Sequence, residues 1–179
     1  MIVETVVTTL NGDGSVNCAA MGVEWGERRI VIKPFRGTRT LRNLRATEAA
    51  VVHLTDDILL FSQAALGDPR PPTRPAAAVE GAVLDDACSW REVRVEAVDD
   101  AEPRARVSTV VVGGGTGREF LGFNRACHAV LEASILASRA RLLPAEEIEA
   151  ELRRLQALVD KTAGPREREA MAYVRSVIG

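Results

Sequence analysis

The sequence is poor in the residues from which disulfide frameworks and zinc sites are built. It contains three cysteines, Cys18, Cys88 and Cys127, and no two of them have CxxC spacing. An odd number of widely separated cysteines argues against a disulfide framework and favours a reducing compartment. The two histidines, His53 and His128, lie in no zinc-binding motif. The sequence therefore predicts no metal site.

Membrane spans, a secretion signal and a basic excess are also lacking. No apolar stretch approaches the ~20 residues that cross a bilayer as a helix. Residues 1–5 lack the basic region and apolar run of a signal peptide. The net charge of -2 argues against binding nucleic acid mainly through phosphate contacts, which needs a basic excess. We expect a cytoplasmic protein without membrane or nucleic-acid partners.

The composition is that of one globular domain, or of one domain with a helical appendage. Hydrophobic residues make up 46% of the 179 residues and charged residues 27%, so a sizeable core can be buried. Segments rich in Val, Ile and Thr, or with period-two alternation, predict strands. These strands span residues 2–9, 16–23, 29–33, 49–54, 92–98 and 105–112. Hairpin-length turns between the first three indicate an antiparallel meander.

Helical spacing and capping residues predict helices in two parts of the chain. The predicted helices span residues 38–45, a segment from Asp56 or Asp57 to Leu66, residues 124–143, a helix from Pro144 onward and one after Gly164. The prolines of residues 67–75 predict an extended loop. We place a β-rich domain at residues 1–122 and a helical segment, packed on it, at residues 123–179.

The most informative stretch is the predicted transition from the third strand to the first helix. The first amides of a helix have no internal partner and favour an anion. Gly37 allows a ligand to approach the backbone, Thr38 and Thr40 add hydroxyl donors, and Arg36 or Arg39 can form paired bonds to phosphate oxygens. The residue types alone are equally compatible with a solvated basic helix start in which Thr38 is only a cap.

Three other stretches carry weaker signals. Small residues at Cys18, Ala19 and Ala20 leave room for a flat ring beside a strand, although tight core packing is the preferred interpretation of the residue types. Residues 113–117 are glycine-rich but lack the P-loop lysine, and we interpret them as a mobile loop. Arg125 and His128 share a helix face and can reach a ligand or another subunit, but a structural role is the simpler interpretation.

Together these stretches resemble a family of flavin-reductase-like split-barrel proteins of unknown function, found in methanogenic archaea and methylotrophic bacteria. Residues 34–40, with the sequence Pro-Phe-Arg-Gly-Thr-Arg-Thr, carry the most specific part of the resemblance. The other matching segments are residues 4–11, Asn17 with residues 19–23, residues 43–44, residues 54–57 and residues 122–126. The resemblance covers nearly the whole chain.

The resemblance implies an α+β, mostly β fold: a six-stranded antiparallel split barrel with a C-terminal helical part. It also implies a homodimer formed through the barrels, with FMN at the interface and its phosphate held by the turn after the third strand. The implied FMN-binding residues are Arg36, Gly37, Thr38, Arg39 and Thr40 at the phosphate, Asn17, Ala19, Ala20 and Met21 beside the isoalloxazine ring, and Thr8, Thr55 and Asn124 near it.

The family does not supply a reaction, since split-barrel flavoproteins include reductases, oxidases and proteins that only bind flavin. Our leading hypothesis is an FMN-dependent oxidoreductase of the flavin-reductase type, with NAD(P)H or a pterin as its small-molecule partner. The distribution of the family suggests a link to methanopterin-dependent one-carbon metabolism. No side-chain acid or base stands out, so we assign no catalytic residue. Two alternatives remain open: a non-catalytic module that binds FMN or another phosphorylated ligand, and an interaction protein that uses its C-terminal helices as an interface.

Overall fold

A computed structural model describes residues 1–99 and 104–179, and it divides into two compact units. The first, which we call the barrel unit, comprises residues 1–55 and 70–119. The second, the helical unit, comprises residues 56–69 and 120–179. Residues 56–69 thus group with the C-terminal helices although they lie between strands of the barrel unit in sequence. The packing of the helical segment on the barrel stays a prediction.

The barrel unit confirms the predicted six-stranded antiparallel barrel. Its sheet is closed in the order β1-β2-β3-β8-β7-β4, and every neighbouring pair is antiparallel. A separate two-stranded sheet is formed by β5 and β6. The strands are β1 Ile2–Leu10, β2 Val16–Glu24, β3 Arg29–Ile32, β4 Ala49–Leu54, β5 Thr73–Pro75, β6 Ala82–Leu84, β7 Ser89–Asp99 and β8 Arg106–Thr116.

Residues of the barrel strands and of the first helix form an apolar core, and a separate cluster joins Ala49 and Val51 of β4 to Val79 and Val83. Val7, Ile30 and Val52 are each 0% exposed within the core, as period-two alternation requires of strands with one buried face. The helix α1, Arg39–Thr47, adds Leu41 and Leu44 to the same core. The start of this helix is thereby fixed against the barrel by apolar burial.

Two segments predicted as loops are strands instead. The extended loop predicted at residues 67–75 is wrong in its last three residues, which pair with β6; a strand of three residues is too short to show alternation. The mobile loop predicted at residues 113–117 is also wrong, because β8 continues to Thr116. Glycine is required there by a close approach, since a Cβ on Gly115 would lie 2.5 Å from the ring of Trp90.

Two buried polar side chains hold the β5–β6 hairpin. The carboxylate of Glu92, only 2% exposed, accepts hydrogen bonds from the amide of Ala78 and, at 3.3 Å, from the indole of Trp90. His53 is 0% exposed; its Nε2 accepts from the amide of Leu84 at 3.1 Å, and its Nδ1 lies 3.0 Å from the carbonyl of Val6. Because that carbonyl is an acceptor, Nδ1 carries the proton and the ring is neutral.

Burial lowers the pKa of His53 to about 4, so the free energy of unfolding should depend on pH. Between pH ~6.5 and ~4 the unfolded chain binds a proton at this position and the folded chain does not, so stability rises with pH there. We expect the free energy of unfolding to fall by about 3 kcal/mol through His53 as the pH is lowered across this window. Urea unfolding of wild type and His53→Gln at pH 7 and pH 4.5 measures this. An equal pH dependence in both proteins would contradict it.

The helical unit confirms the predicted helices with one shortened end. Its elements are α2 Ile58–Leu66, α3 Arg125–Ser138, a 3-10 turn Ala140–Leu142, α4 Ala145–Thr162 and α5 Pro165–Ile178. The helix predicted over residues 124–143 thus ends at Ser138, five residues early, and the 3-10 turn follows it. Asp57 caps α2 and Asn124 caps α3 through their side-chain oxygens. In the described part of the chain no helix is long and apolar enough to cross a membrane.

Candidate functional site

The turn between β3 and α1 lies at the protein surface. Phe35, Arg36 and Gly37 are exposed, and the Arg104 guanidinium stacks 3.9 Å from the centroid of the Phe35 ring. Gly37 has φ +78°, and among residues 1–99 and 104–179 no atom lies within 4 Å of the position of an added Cβ. The left-handed conformation explains why glycine stands at this position. The open space beside it leaves the backbone accessible to a ligand.

Thr38 shapes the turn through its own hydroxyl. The hydroxyl donates to the carbonyl of Phe35 at 2.7 Å and accepts from the amide of Leu41 at 3.4 Å, which makes Thr38 the N-cap of α1. To donate to a phosphate, the Thr38 hydroxyl must therefore give up its hydrogen bond to the Phe35 carbonyl. The backbone amides of the first turn of α1 have no carbonyl one turn earlier, and they provide donors directed away from the helix.

The charge around the turn is strongly positive. Four exposed arginines, Arg36, Arg39, Arg42 and Arg45, recur every three residues, and no acidic residue occurs between Lys33 and Thr47. Lys33 shares the Glu24 carboxylate with Arg106 in two ion pairs, so this group of three keeps one net positive charge. Hydrogen bonds from Arg106 and Lys33 lower the pKa of the Glu24 carboxyl to about 2. In a chain of net charge -2, this segment is a local attractor for anions.

Arg42, which sequence reasoning did not select, reaches back to the turn. One of its terminal nitrogens donates to the carbonyl of Gly37 at 2.8 Å. The guanidinium therefore fixes the peptide that follows the glycine and brings a positive charge to the turn. The sequence signal for Arg42 was its position three residues after Arg39. Its contact with the Gly37 carbonyl spans five residues and depends on the bend at Gly37, so the sequence pattern did not show it.

A buried polar cluster lies beneath the start of α1. The Asn17 amide nitrogen donates at 3.1 Å to the hydroxyls of both Thr9 and Thr40, and the Asn43 amide nitrogen donates at 3.0 Å to the hydroxyl of Thr9. Asn43 also donates to the side-chain oxygen of Asn11 at 2.9 Å. This cluster ties α1 to β1 and β2. Thr40, only 3% exposed, thus points into the barrel unit, away from the exposed arginines.

The small residues of β2 alternate between the two faces of the barrel wall. Met21 packs against the apolar core, and Ala19 pairs with the core residue Val7, so both lie on the inner face. Ala20 lies on the opposite face with Cys18, which is 2% exposed. Ala19, Ala20 and Met21 are each partly exposed. Their contact with a flavin ring stays a prediction.

The three remaining predicted site residues lie in different environments. Thr8 is 0% exposed and its hydroxyl donates to the carbonyl of Ala82 at 2.5 Å, which joins β1 to the β5–β6 hairpin. Thr55 is half-buried just after β4. Asn124 belongs to the helical unit, where its side chain caps α3 and donates to the carbonyl of Thr162 at 3.3 Å.

With this geometry established, comparison with known proteins assigns the family. The sequence profile described as the N-terminal domain of the protein of unknown function DUF447 matches residues 3–118. A second profile, described as protein of unknown function DUF447, matches residues 124–176. The chain belongs to the DUF447 family.

Solved structures confirm the flavin-reductase-like fold of this DUF447 chain. An FMN-bound DUF447 protein from Methanosarcina mazei matches with a TM-score of 0.85 at 23% identity, over 98% of this chain and 94% of that one. Flavoredoxin from Methanosarcina acetivorans matches with a TM-score of 0.58 at 10% identity, over 68% and 72%. The styrene monooxygenase flavin reductase from Pseudomonas putida matches with a TM-score of 0.53 at 19% identity, over 63% and 78%.

The Cys127 thiol of this DUF447 chain is not activated. Burial and the nearby Glu167 raise the pKa of the Cys127 thiol to about 12, so it is protonated and a poor nucleophile at neutral pH. Among residues 1–99 and 104–179, no group of three or more His, Cys, Asp or Glu side chains is placed to hold a metal ion.

Proposed function

We propose that this DUF447 protein binds FMN, with the phosphate on the turn between β3 and α1. One observation carries the proposal: an exposed turn with a left-handed glycine, in a segment, residues 33–47, whose ionisable side chains are all lysine or arginine. A phosphate monoester needs convergent donors and positive charge, and this turn provides both. The FMN-bound protein of the same family and fold from Methanosarcina mazei supports the choice of ligand.

The residues present fit this cofactor. Arg36 and Arg39, the backbone at Gly37 and the first amides of α1 hold the phosphate. Thr38 and Thr40 fix the helix start. Asn17 would flank the ring together with Ala19 and Met21 from one face of β2 or with Ala20 from the other. Contacts of the ring with Thr8, Thr55 and Asn124 stay predictions.

We further propose an oxidoreductase of the flavin-reductase type. When bound, the flavin supplies hydride transfer, and the protein positions it and excludes competing reactions. NAD(P)H is the proposed electron donor, and a reduced pterin is the donor if the protein serves methanopterin-dependent one-carbon metabolism. The styrene monooxygenase flavin reductase from Pseudomonas putida, which shares the fold at a TM-score of 0.53, supports this reaction class. We place the protein in the cytoplasm as a homodimer.

A non-catalytic FMN-binding module is the second candidate. One observation favours it: the ionisable side chains of residues 33–47 are all lysine or arginine, so the turn and α1 contain no carboxylate, histidine or cysteine to act as a general acid or base. A protein that only carries or senses FMN needs no general acid or base.

Two measurements on freshly purified protein test these proposals. Flavin absorption bands, with FMN identified by mass after denaturation, are expected. Protein that is colourless and does not take up added FMN would contradict FMN binding. Steady-state oxidation of NADH, NADPH or a reduced pterin by the FMN-loaded protein distinguishes the enzyme from the module, and turnover with none of them would favour the module.

Arg42→Ala is expected to weaken FMN binding about tenfold. The substitution removes the bond to the Gly37 carbonyl together with a positive charge at the turn, and one hydrogen bond to a charged group is worth about 1.5–3 kcal/mol before solvent replaces it. Arg45→Ala is the matched control, because Arg45 is an exposed arginine in the last turn of the same helix. Fluorescence titration with FMN measures both. Equal losses of FMN affinity in the two variants would show that the positive charge of the segment, and not the bond from Arg42 to Gly37, determines the affinity.

A further inference from the structure

An arginine from another part of the chain lies beside the turn between β3 and α1. Arg104 is an exposed residue shortly before β8, and its backbone forms an isolated antiparallel bridge with Phe35. The next amide, that of Ala105, donates to the carbonyl of Pro34 at 3.1 Å. Main-chain contacts therefore hold Arg104 at the base of the turn. Residues paired in this way direct their side chains to the same face of the sheet.

The ring of Phe35 fixes the position of the Arg104 guanidinium. The central carbon of the guanidinium lies 3.9 Å from the centroid of the ring, inside the ~6 Å over which an aromatic face attracts a cation. A guanidinium is planar and has its five N–H donors along its edge. Because the ring contacts the face of the group, hydrogen bonding at the edge can continue while the stack is in place.

Arg104 differs from other arginines of the barrel unit in its lack of an acidic partner. Arg106 donates to both carboxylate oxygens of Glu24, at 2.8 and 2.7 Å, and Arg29 pairs with Glu96 at 2.9 Å. Of the residues that the structure describes, none provides a carboxylate that pairs with Arg104. A guanidinium that is held on a ring and not neutralised is suited to bind an anion.

The turn is closed onto the same residue that carries the guanidinium. The carbonyl of Phe35 accepts from the amide of Thr38 at 3.3 Å and from its hydroxyl at 2.7 Å. Gly37 is the third of these four residues, and its φ of +78° is that of glycine in a type II turn. A phosphate bound at Gly37 therefore lies within two residues of the ring on which Arg104 is stacked.

We infer that Arg104 is a further phosphate-binding residue of this turn and that Phe35 positions it. The inference rests on the proposed FMN site and adds to it a donor from the β8 side of the barrel. The phosphate is then bound from two sides, by the first amides of α1 and by the edge of the Arg104 guanidinium. Riboflavin has no phosphate, so Arg104 contributes to the preference for FMN over riboflavin.

Titration of the flavin-free protein with FMN and with riboflavin tests the inference. Arg104→Ala is expected to weaken FMN binding about tenfold or more and to change riboflavin binding less than about twofold, because the lost bonds are made to a charged group. Arg104→Lys keeps the charge and loses the planar fork, so its FMN affinity should lie between those of wild type and Arg104→Ala.

Arg28→Ala is the matched control for the loss of a positive charge. Arg28 is exposed and directly precedes β3, whereas the turn follows the other end of that strand. Seven extended residues place it roughly 20 Å from Phe35, beyond the ~8–10 Å over which salt screens exposed charges. We expect it to change FMN affinity less than about twofold.

Substitutions of Phe35 test the positioning step separately. Phe35→Tyr keeps an aromatic face and should bind FMN as wild type does. Phe35→Leu should weaken FMN binding, and its combination with Arg104→Ala should weaken it no further than Arg104→Ala alone, because the ring acts through the guanidinium. Additive losses would show that Phe35 acts independently of Arg104 and would overturn its positioning role. Circular dichroism melting checks that each variant is folded.

The outcomes separate the inference from the proposed function. Equal FMN affinity in Arg104→Ala and Arg28→Ala overturns the inference and leaves the phosphate site of the turn standing. A parallel loss of riboflavin binding in Arg104→Ala also overturns it, because the effect is then not on the phosphate. Wild-type protein that binds no flavin contradicts the proposed function. Titration with inorganic phosphate, followed by the NMR shift of the Gly37 amide, then decides: a shift that Arg104→Ala abolishes supports an anion site containing Arg104, and no shift in wild type overturns both.

Discussion

Replacing both Arg36 and Thr38 with alanine is expected to weaken FMN binding by about 3–6 kcal/mol, because each contributes an interaction with a charged group worth about 1.5–3 kcal/mol. The two residues act differently. Arg36 is exposed at the turn and supplies a charged donor. Thr38 bonds to Phe35 and caps α1, so its loss disorders the backbone donors that face the phosphate. Isothermal titration of the protein after removal of flavin, at fixed salt, measures the loss.

Riboflavin provides the decisive control for this prediction, because it has the same ring as FMN and no phosphate. The double variant should bind riboflavin as wild type does, so that the preference for FMN disappears. Arg45→Ala tests whether a distant positive charge of the same helix has a comparable effect. Unchanged FMN affinity in the double variant would contradict the proposal that this turn binds the phosphate. A parallel loss of riboflavin binding would instead indicate a general disruption of the fold.

Much of the barrel was predictable from the sequence because its strands carry local signals. Strands β1 to β4 consist of β-branched or alternating residues bounded by turn residues, and their predicted ends agree with the structure to within one residue. The prediction failed where a strand depends on a distant neighbour. The glycines of β8 resemble a loop in sequence, and they are explained by close neighbours distant in sequence, which are Ala78 for Gly113 and Trp90 of the adjacent strand for Gly114 and Gly115. The hairpin of β5 and β6 depends in the same way on His53 and Glu92.

The candidate site was predictable only in its local part. The turn from Arg36 to Thr40 is visible in sequence because glycine, hydroxyl and arginine residues are adjacent there, and the structure places Arg36, Gly37 and Arg39 at the surface. The burial of Thr40 was not visible, since it depends on Asn17 from another strand. The contribution of Asn43 was missed for the same reason, because its partners Thr9 and Asn11 lie more than 30 residues away.

Asn17→Ala combined with Asn43→Ala is expected to lower the free energy of unfolding by about 4–6 kcal/mol. The two side chains are 6% and 7% exposed, and together they donate four hydrogen bonds. Each bond contributes about 0.5–1.5 kcal/mol, and each buried hydroxyl left without its donor costs about 1–3 kcal/mol more. Urea unfolding of the flavin-free protein measures the change directly.

The same double variant tests whether the polar cluster orients the phosphate turn. If the cluster orients the turn, the fully folded variant should lose more affinity for FMN than for riboflavin. The reason is that α1, which carries the phosphate donors, loses its attachment to β1 and β2. Asn17→Asp is a useful companion, since it keeps the shape of the side chain and replaces its donor nitrogen by an acceptor. The Thr9 and Thr40 hydroxyls can rotate to donate to that carboxylate. Recovery of FMN affinity in Asn17→Asp relative to Asn17→Ala would then show that the connection between strand and helix, rather than the amide itself, sets the position of the turn.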